Sequence, residues 1–323
     1  MRAVVCSRLE GPDSLTVGEL PEPDLEPGSV RVRVRAAGVN FPDILVTQGL
    51  YQEQPDLPFA PGVELAGDVI ETSEDVSTFA PGDRVFGYVS HGAFAEEAIV
   101  PSGRLFPLPD AMGYETGAAL PITYGTAYHA LVDRAVVSPG EVVLVLGGAG
   151  GVGMAAVQIA NALGATVIAA VSSDEKETAV RSSGAASVVR YDRDDLRAEL
   201  RRLAPSGVDV VYDPVGGEST EAAFRSLAWK GRHLVIGFAS GTIPSVAANL
   251  TLLKGASLVG VFWGRFADTE PSSNWANFDA LTEWWQAGTI DPVISNVYPL
   301  EEAPEALRQI GARRAIGKLV VTP

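Results

Sequence analysis

Hydrophobic positions change their period along the chain. Residues 30–35 alternate valine with arginine, a period of two that predicts a half-buried strand. Turn residues crowd around it: Pro21, Pro23, Pro27-Gly28, Pro55, Pro58, Pro61-Gly62 and Pro81-Gly82. Residues 63–70 and 84–89 are further short apolar stretches, so a mostly β domain is expected over 1–122. Residues 117–132, rich in Ala, Leu and Tyr, predict a helix after Pro121. Residues 142–146 are a continuous apolar run between Pro139-Gly140 and Gly147, the pattern of a strand covered on both faces. Residues 153–163 space Ala156, Val157, Ile159, Ala160 and Leu163 as a helix does, and Gly164 closes them. Strands follow at 166–171, 188–191, 208–212, 233–236 and 257–262, with helices at 174–183, 194–203 and 218–227. Strand-helix alternation predicts an α/β fold with a doubly wound parallel sheet over 123–263. Residues 264–323 carry helices at 277–286 and 303–310 and a strand at 318–321. That tail is too short to fold alone and is expected to pack back on the first domain.

Composition narrows the class. With 46% hydrophobic and 20% charged residues, the chain is ordinary globular protein. No apolar run reaches the roughly 18–20 residues of a membrane span. The N-terminal Met1-Arg2-Ala3-Val4-Val5-Cys6-Ser7-Arg8-Leu9-Glu10 lacks the long apolar core of a signal peptide, so a cytoplasmic protein is expected. Cys6 is alone, which excludes an intramolecular disulfide and a Cys-rich zinc site. His91, His129 and His233 have no metal-ligand spacing. The net charge of −16 argues against nucleic acid as partner and reads as surface charge for solubility. Only Lys176, Lys230, Lys254 and Lys318 supply ammonium groups.

The most informative segment is Gly147-Gly148-Ala149-Gly150-Gly151-Val152-Gly153, which stands between the first buried strand and its helix. Gly148, Gly150 and Gly153 form G-x-G-x-x-G, a turn that lets backbone approach a pyrophosphate at a helix N-terminus. The flanking strand, helix and second strand favour a dinucleotide site over a purely structural glycine turn. An NAD site carries an acid at the end of the second strand. Here that strand ends in Val171-Ser172-Ser173, with Lys176 three residues on and Tyr191 after the third strand. Small hydroxyls and an ammonium suit a 2′-phosphate, which favours NADP(H) over NAD(H), against Lys176 as a merely solvated helix residue. Asp174 and Glu175 are the objection, and Asp174 is read as the N-cap of the next helix, turned away from the phosphate.

Further stretches carry a resemblance. They are Ala37-Gly38-Val39-Asn40-Phe41-Pro42-Asp43, Gly49-Leu50-Tyr51, Pro58-Phe59-Ala60-Pro61-Gly62-Val63-Glu64-Leu65-Ala66-Gly67, Gly82-Asp83-Arg84-Val85 and Gly317-Lys318-Leu319-Val320-Val321. With the glycine loop, they make the whole chain resemble the medium-chain dehydrogenase/reductase superfamily, in its zinc-independent quinone oxidoreductase branch. The resemblance implies a GroES-like β-rich catalytic domain (1–122 and 264–323) interrupted by a Rossmann domain (123–263). Zinc alcohol dehydrogenases of the superfamily place a Cys ligand where this chain has Asn40, and a His before the Glu where it has Val63-Glu64. No metal is therefore expected, and Glu64 is expected to pair with a basic group. Without a Lewis acid, the substrate must accept hydride unaided. A quinone does, because its product is an aromatic hydroquinone anion that water can protonate.

The resemblance further implies cofactor contacts at Asn40, Thr126, Gly150, Gly151, Val152, Ser173, Lys176, Tyr191, Gly237, Phe238, Phe262, Trp263 and Lys318. Asn40 and Thr126 are expected near the nicotinamide, with Phe238 and Phe262-Trp263 as walls, against core packing as the alternative for the aromatics. Tyr51, with Asn40 the catalytic candidate, is expected to hydrogen-bond the substrate oxygen, against a purely structural role. His91 and His129 are expected to be structural or exposed. The implied activity is NADPH-dependent quinone reduction. The alternatives are an enone or an enoyl or acryloyl thioester reductase and, less favoured by the charge, a non-catalytic RNA-binding or structural relative. The strand at 257–262 falls at the sheet edge, where the superfamily pairs two copies, so a homodimer is expected.

Overall fold

A computed structural model describes residues 1–323, and in it the valines of the Ser29–Val39 strand are buried while Arg33 and Arg35 face solvent. The strand read from residues 30–35 thus extends to eleven residues, although the alternation ends at Arg35. Its last part, Ala36, Ala37, Gly38 and Val39, is buried on both faces. The strand lies inside a mixed sheet. From one edge the order is Ile294–Pro299, Lys318–Thr322, Ser29–Val39, Glu64–Thr72, Arg84–Tyr88 and Leu105–Pro107, with Glu97–Pro101 also paired to Ser29–Val39. All three strands paired to Ser29–Val39 run antiparallel to it, and its last residues lie between Lys318–Thr322 and Glu64–Thr72, with Leu319 opposite Val39 and Leu65 opposite Ala37. The first residues of those neighbours, Lys318 and Glu64, therefore come to the strand end that leads into Asn40.

The second sheet is wholly parallel. Its order is Ser187–Arg190, Thr166–Val171, Val142–Leu146, Val208–Asp213, Leu227–Val235 and Ser257–Gly260. In chain order these are the third, second, first, fourth, fifth and sixth strands, the doubly wound arrangement. Leu144, Leu146, Ile168 and Val211 pack with Leu196, Leu200 and Phe224 into one core cluster. Boundaries shift for local reasons. The helix expected at 194–203 starts at Leu196 because the Asp195 carboxylate caps the Ala198 N–H at 2.7 Å. Leu227 leaves the helix for the next strand, where it pairs with Val208 before the register shifts near Lys230, which has φ 65°. The helix expected at 117–132 is split into Tyr114–Ala118, Pro121–Tyr128 and a π-helical turn at His129–Arg134.

The chain divides into two compact units, Met1–Ile122 with Pro292–Pro323, and Thr123–Asp291. The expected second boundary at 264 is corrected to 292. The segment in between is held to the second unit by its buried apolar side chains. Trp263, Phe266, Phe278 and Leu281 are buried, and the missing side chain of Gly125 makes room for the rings of Trp263 and Phe278. Residues 292–323 join the first unit through the Lys318–Thr322 strand. No helix is long and apolar enough to cross a membrane.

Candidate active site

In the first unit, the strand ends gather a buried polar cluster. Asn40 Nδ2 donates to Glu64 Oε1 at 2.8 Å, and Asn40 Oδ1 accepts from Lys318 Nζ at 2.6 Å. Lys318 Nζ also forms an ion pair with Glu64, whose second oxygen accepts the Ile122 N–H at 2.8 Å. All three side chains are buried. The sequence requires glycine at 38, since a Cβ there would collide with the Glu64 carboxylate and the Ala118 carbonyl. Lys318 is thus the basic partner of Glu64, and its ammonium, expected at the cofactor, is engaged by Glu64 and Asn40.

Asp43 completes the cluster and escaped the sequence reading. It sits in the first turn of the Phe41–Thr47 helix, and its Oδ2 accepts the Asn40 N–H at 2.7 Å. The Asn-x-x-Asp spacing of a helix start could have signalled this reach back to the cap. Asp43 is fully buried, and its Oδ1 has no hydrogen-bond partner. Burial, the largest cause, and to a lesser extent the Glu64 charge push its pKa up to about 7, against the opposing pull of the Asn40 and Gly62 amides and Lys318. Tyr51 follows in the loop after that helix, partly buried. Burial raises its phenol pKa, and the charges of Glu53 and Asp43 add to the rise, so the hydroxyl stays a proton-bearing donor at neutral pH.

In the second unit, the turn after Val142–Leu146 leads into the twelve-residue Gly151–Ala162 helix. Gly147 takes φ 59°, and a Cβ on Gly153 would strike the Gly147 carbonyl and the Gly148 backbone. A Cβ on Gly150, by contrast, would meet only the Gly147 carbonyl at 3.6 Å, so open space lies before the helix. No side chain caps this helix start, where Gly150, Gly151 and Val152 present backbone. Uncapped N–H groups and the helix dipole make such an end a receptor for an anion.

Ser172 and Ser173 follow the Thr166–Val171 strand. Ser173, not Asp174, is the N-cap of the Asp174–Ser182 helix: its Oγ accepts the Lys176 N–H at 3.2 Å. Asp174 instead forms an ion pair with Arg190. Lys176 Nζ donates to Ser172 Oγ at 3.2 Å. Tyr191 donates its backbone N–H to the Val171 carbonyl at 3.2 Å, and its side chain is exposed. The two strand ends therefore place Ser172, Ser173, Lys176 and Tyr191 at one corner.

The remaining candidates lie apart in character. Thr126 is partly buried on the Pro121–Tyr128 helix. Gly237 donates its N–H to the Asp213 carbonyl at 3.3 Å, and Phe238 and Phe262 expose their rings. Trp263 is buried, as its core-packing alternative has it: the indole lies edge-on to Phe278, and Nε1 donates to Asn274 Oδ1 at 3.1 Å. His129 lies 2.8 Å from Asp133 and stacks on Phe266, while His91 meets the edge of Phe59.

Comparisons with known proteins agree with both units. Residues 26–110 match the family model of the alcohol dehydrogenase GroES-like domain, and residues 151–279 match that of the zinc-binding dehydrogenase. The quinone oxidoreductase-like protein 2 of Bos taurus is 43% identical over 323 residues, covering 99% of this chain and 92% of that protein. A solved mycobacterial protein complexed with NADPH superposes with a TM-score of 0.94 at 30% identity over 100% of both chains. Escherichia coli quinone oxidoreductase complexed with NADPH does so with a TM-score of 0.93 at 27% identity, again over 100% of both.

Proposed function

We propose that this chain, which belongs to the quinone oxidoreductase branch of the medium-chain dehydrogenase/reductase superfamily, reduces a quinone with NADPH and without zinc. The residues fit the dinucleotide. The uncapped helix start at Gly150, Gly151 and Val152 suits a pyrophosphate, and Ser173, Lys176 and Tyr191 suit a 2′-phosphate. When bound, NADPH supplies a hydride. Thr126, Gly237, Phe238 and Phe262 are assigned to its nicotinamide end, and Asn40 and Tyr51 are the catalytic assignments in the first unit. Tyr51 donates a hydrogen bond to the substrate oxygen.

The zinc in one family description does not fit this chain. Asn40 is an amide with both ends hydrogen-bonded, Val63 is aliphatic, and the Cys6 thiol is buried, donating to the Arg8 carbonyl. The observation that carries the reading is the Lys318 ammonium on the Glu64 carboxylate, so that this acid is already paired with a fixed cation. With no Lewis acid at hand, an acceptor whose reduced oxygen is stable as an anion is favoured, and a quinone is such an acceptor. Metal analysis of the purified protein, combined with NADPH turnover on a naphthoquinone with and without chelator, tests this. The expected result is no stoichiometric zinc and turnover indifferent to chelator. One zinc per chain, with turnover lost on its removal, would refute it.

A further inference from the structure

The corner that suits a 2′-phosphate carries acids as well as Lys176. Asp174, Glu177 and Asp192 all stand there, in a protein of net charge −16. A carboxylate at the end of the second strand is the feature that selects against a 2′-phosphate. Asp174 is placed to act in that way, one residue beyond Ser173 and largely exposed.

Arg190 answers this charge. It ends its strand opposite Val171, the last residue of the neighbouring strand. Nε and Nη2 donate to the two oxygens of Asp192, each at 2.9 Å, a bidentate fork. Nη1 pairs with Asp174 and lies 3.7 Å from Glu177. The Arg190 side chain is only 7% exposed, so the fork with Asp192 fixes its direction and little of the guanidinium is left for a ligand. Arg193 adds a looser contact to Asp174 at 3.6 Å.

We propose that Arg190 is a positioning residue for cofactor choice: it holds the Asp174 carboxylate away from Ser172, Ser173 and Lys176, so that these groups meet a phosphomonoester rather than a competing acid. This rests on the NADP(H) reading above. Arg190 does not touch the phosphate; it acts through Asp174. The fork to Asp192 is what makes the arrangement rigid, since a single ion pair to an exposed carboxylate would fluctuate.

A double-mutant cycle on the full-length protein tests the idea, read as dissociation constants for NADPH, NADH and adenosine 2′,5′-bisphosphate. Arg190→Met should weaken NADPH and the bisphosphate about tenfold and leave NADH within about twofold. Asp174→Asn in that background should restore most of the loss, whereas Asp174→Asn alone should change NADPH binding less than about threefold. A merely structural role for Arg190 would weaken all three ligands together and would not be rescued. Equal effects on NADPH and NADH, or the same Asp174→Asn gain in both backgrounds, would overturn the proposal. If Arg190→Met fails to fold, Arg190→Lys, which keeps the charge and loses the fork, runs the same cycle. A wild-type protein that binds NADH as tightly as NADPH would overturn the NADP(H) reading itself, and this proposal with it.

Discussion

Lys318 donates from Nζ to Asn40 Oδ1 at 2.6 Å, across a sequence separation of 278 residues. The contact exists because Leu319 pairs with Val39, so the strand begun by Lys318 delivers its first side chain beside Asn40, the residue that follows the other strand. Glu64 arrives from the opposite neighbour and shares the same ammonium. The cation is thus built into the sheet. Removing one partner of a buried pair leaves the other charge uncompensated, at a cost of about 3–5 kcal/mol. Lys318→Met should therefore lower the unfolding free energy by about that amount in urea titration, and Glu64→Gln in the same background should recover a large part of it. A loss below about 1 kcal/mol would show that the pair is not the buried unit described.

Asp43 predicts a pH dependence with a definite sign. The folded protein holds the Asp43 proton up to about pH 7, and the unfolded chain releases it near the ordinary value of 3.8. Between those limits the folded state binds more protons, so stability falls as pH rises. The slope is at most about 1.4 kcal/mol per pH unit from this group. It is absent below the lower limit, and the cost is complete above the upper one. Asp43→Asn removes the titration while leaving Glu64 and Lys318 in place. Between pH 5 and 8 the wild type should lose stability relative to the variant, and parallel profiles in chemical denaturation would contradict this.

Tyr51 separates two chemistries. A hydrogen bond that only orients the substrate is worth about 0.5–1.5 kcal/mol, so Tyr51→Phe should reduce kcat/KM by up to about tenfold with a quinone. An obligatory proton donor would cost about 10²–10⁴. A loss beyond about a hundredfold with a quinone would mean that the reaction needs a proton delivered to an enolate, as an enoyl reductase does.

The parallel sheet ends on Ser257–Gly260, an edge strand in which Leu258 is 48% exposed, with Leu252 and Leu253 exposed on the preceding helix. Such an edge invites a second copy. Light scattering should give twice the 33.8 kDa chain mass, and Leu258→Arg should shift it to the single-chain value. A wild-type protein that scatters as one chain at low micromolar concentration would refute the dimer.

The parts of this protein that are legible in its sequence are the local ones. The Val142–Leu146 run, the glycines from 147 to 153 and the helix after them each announce themselves within a few residues. The need of Glu64 for a base is also legible, but Lys318 as that base depends on strand pairing, which no local pattern states. Asp43 looks like an ordinary acid in a first helical turn, and its burial is a tertiary fact. Trp263 and Phe262 are adjacent and chemically alike, yet the gap at Gly125 and the amide of Asn274 draw only Trp263 into the core. Asp174 against Ser173 as cap is a one-residue ambiguity; Ser173 takes the Lys176 N–H, while Asp174 pairs with Arg190 from the next strand.

The most direct test of the account is kcat/KM for NADPH oxidation by metal-stripped protein with a benzoquinone or naphthoquinone, set against an enone and an enoyl-CoA. The account predicts turnover on the quinones that exceeds both others by at least about tenfold, a difference of about 1.4 kcal/mol in the barrier. Turnover that appears only after zinc is restored, or that favours the enoyl-CoA over every quinone, would contradict it.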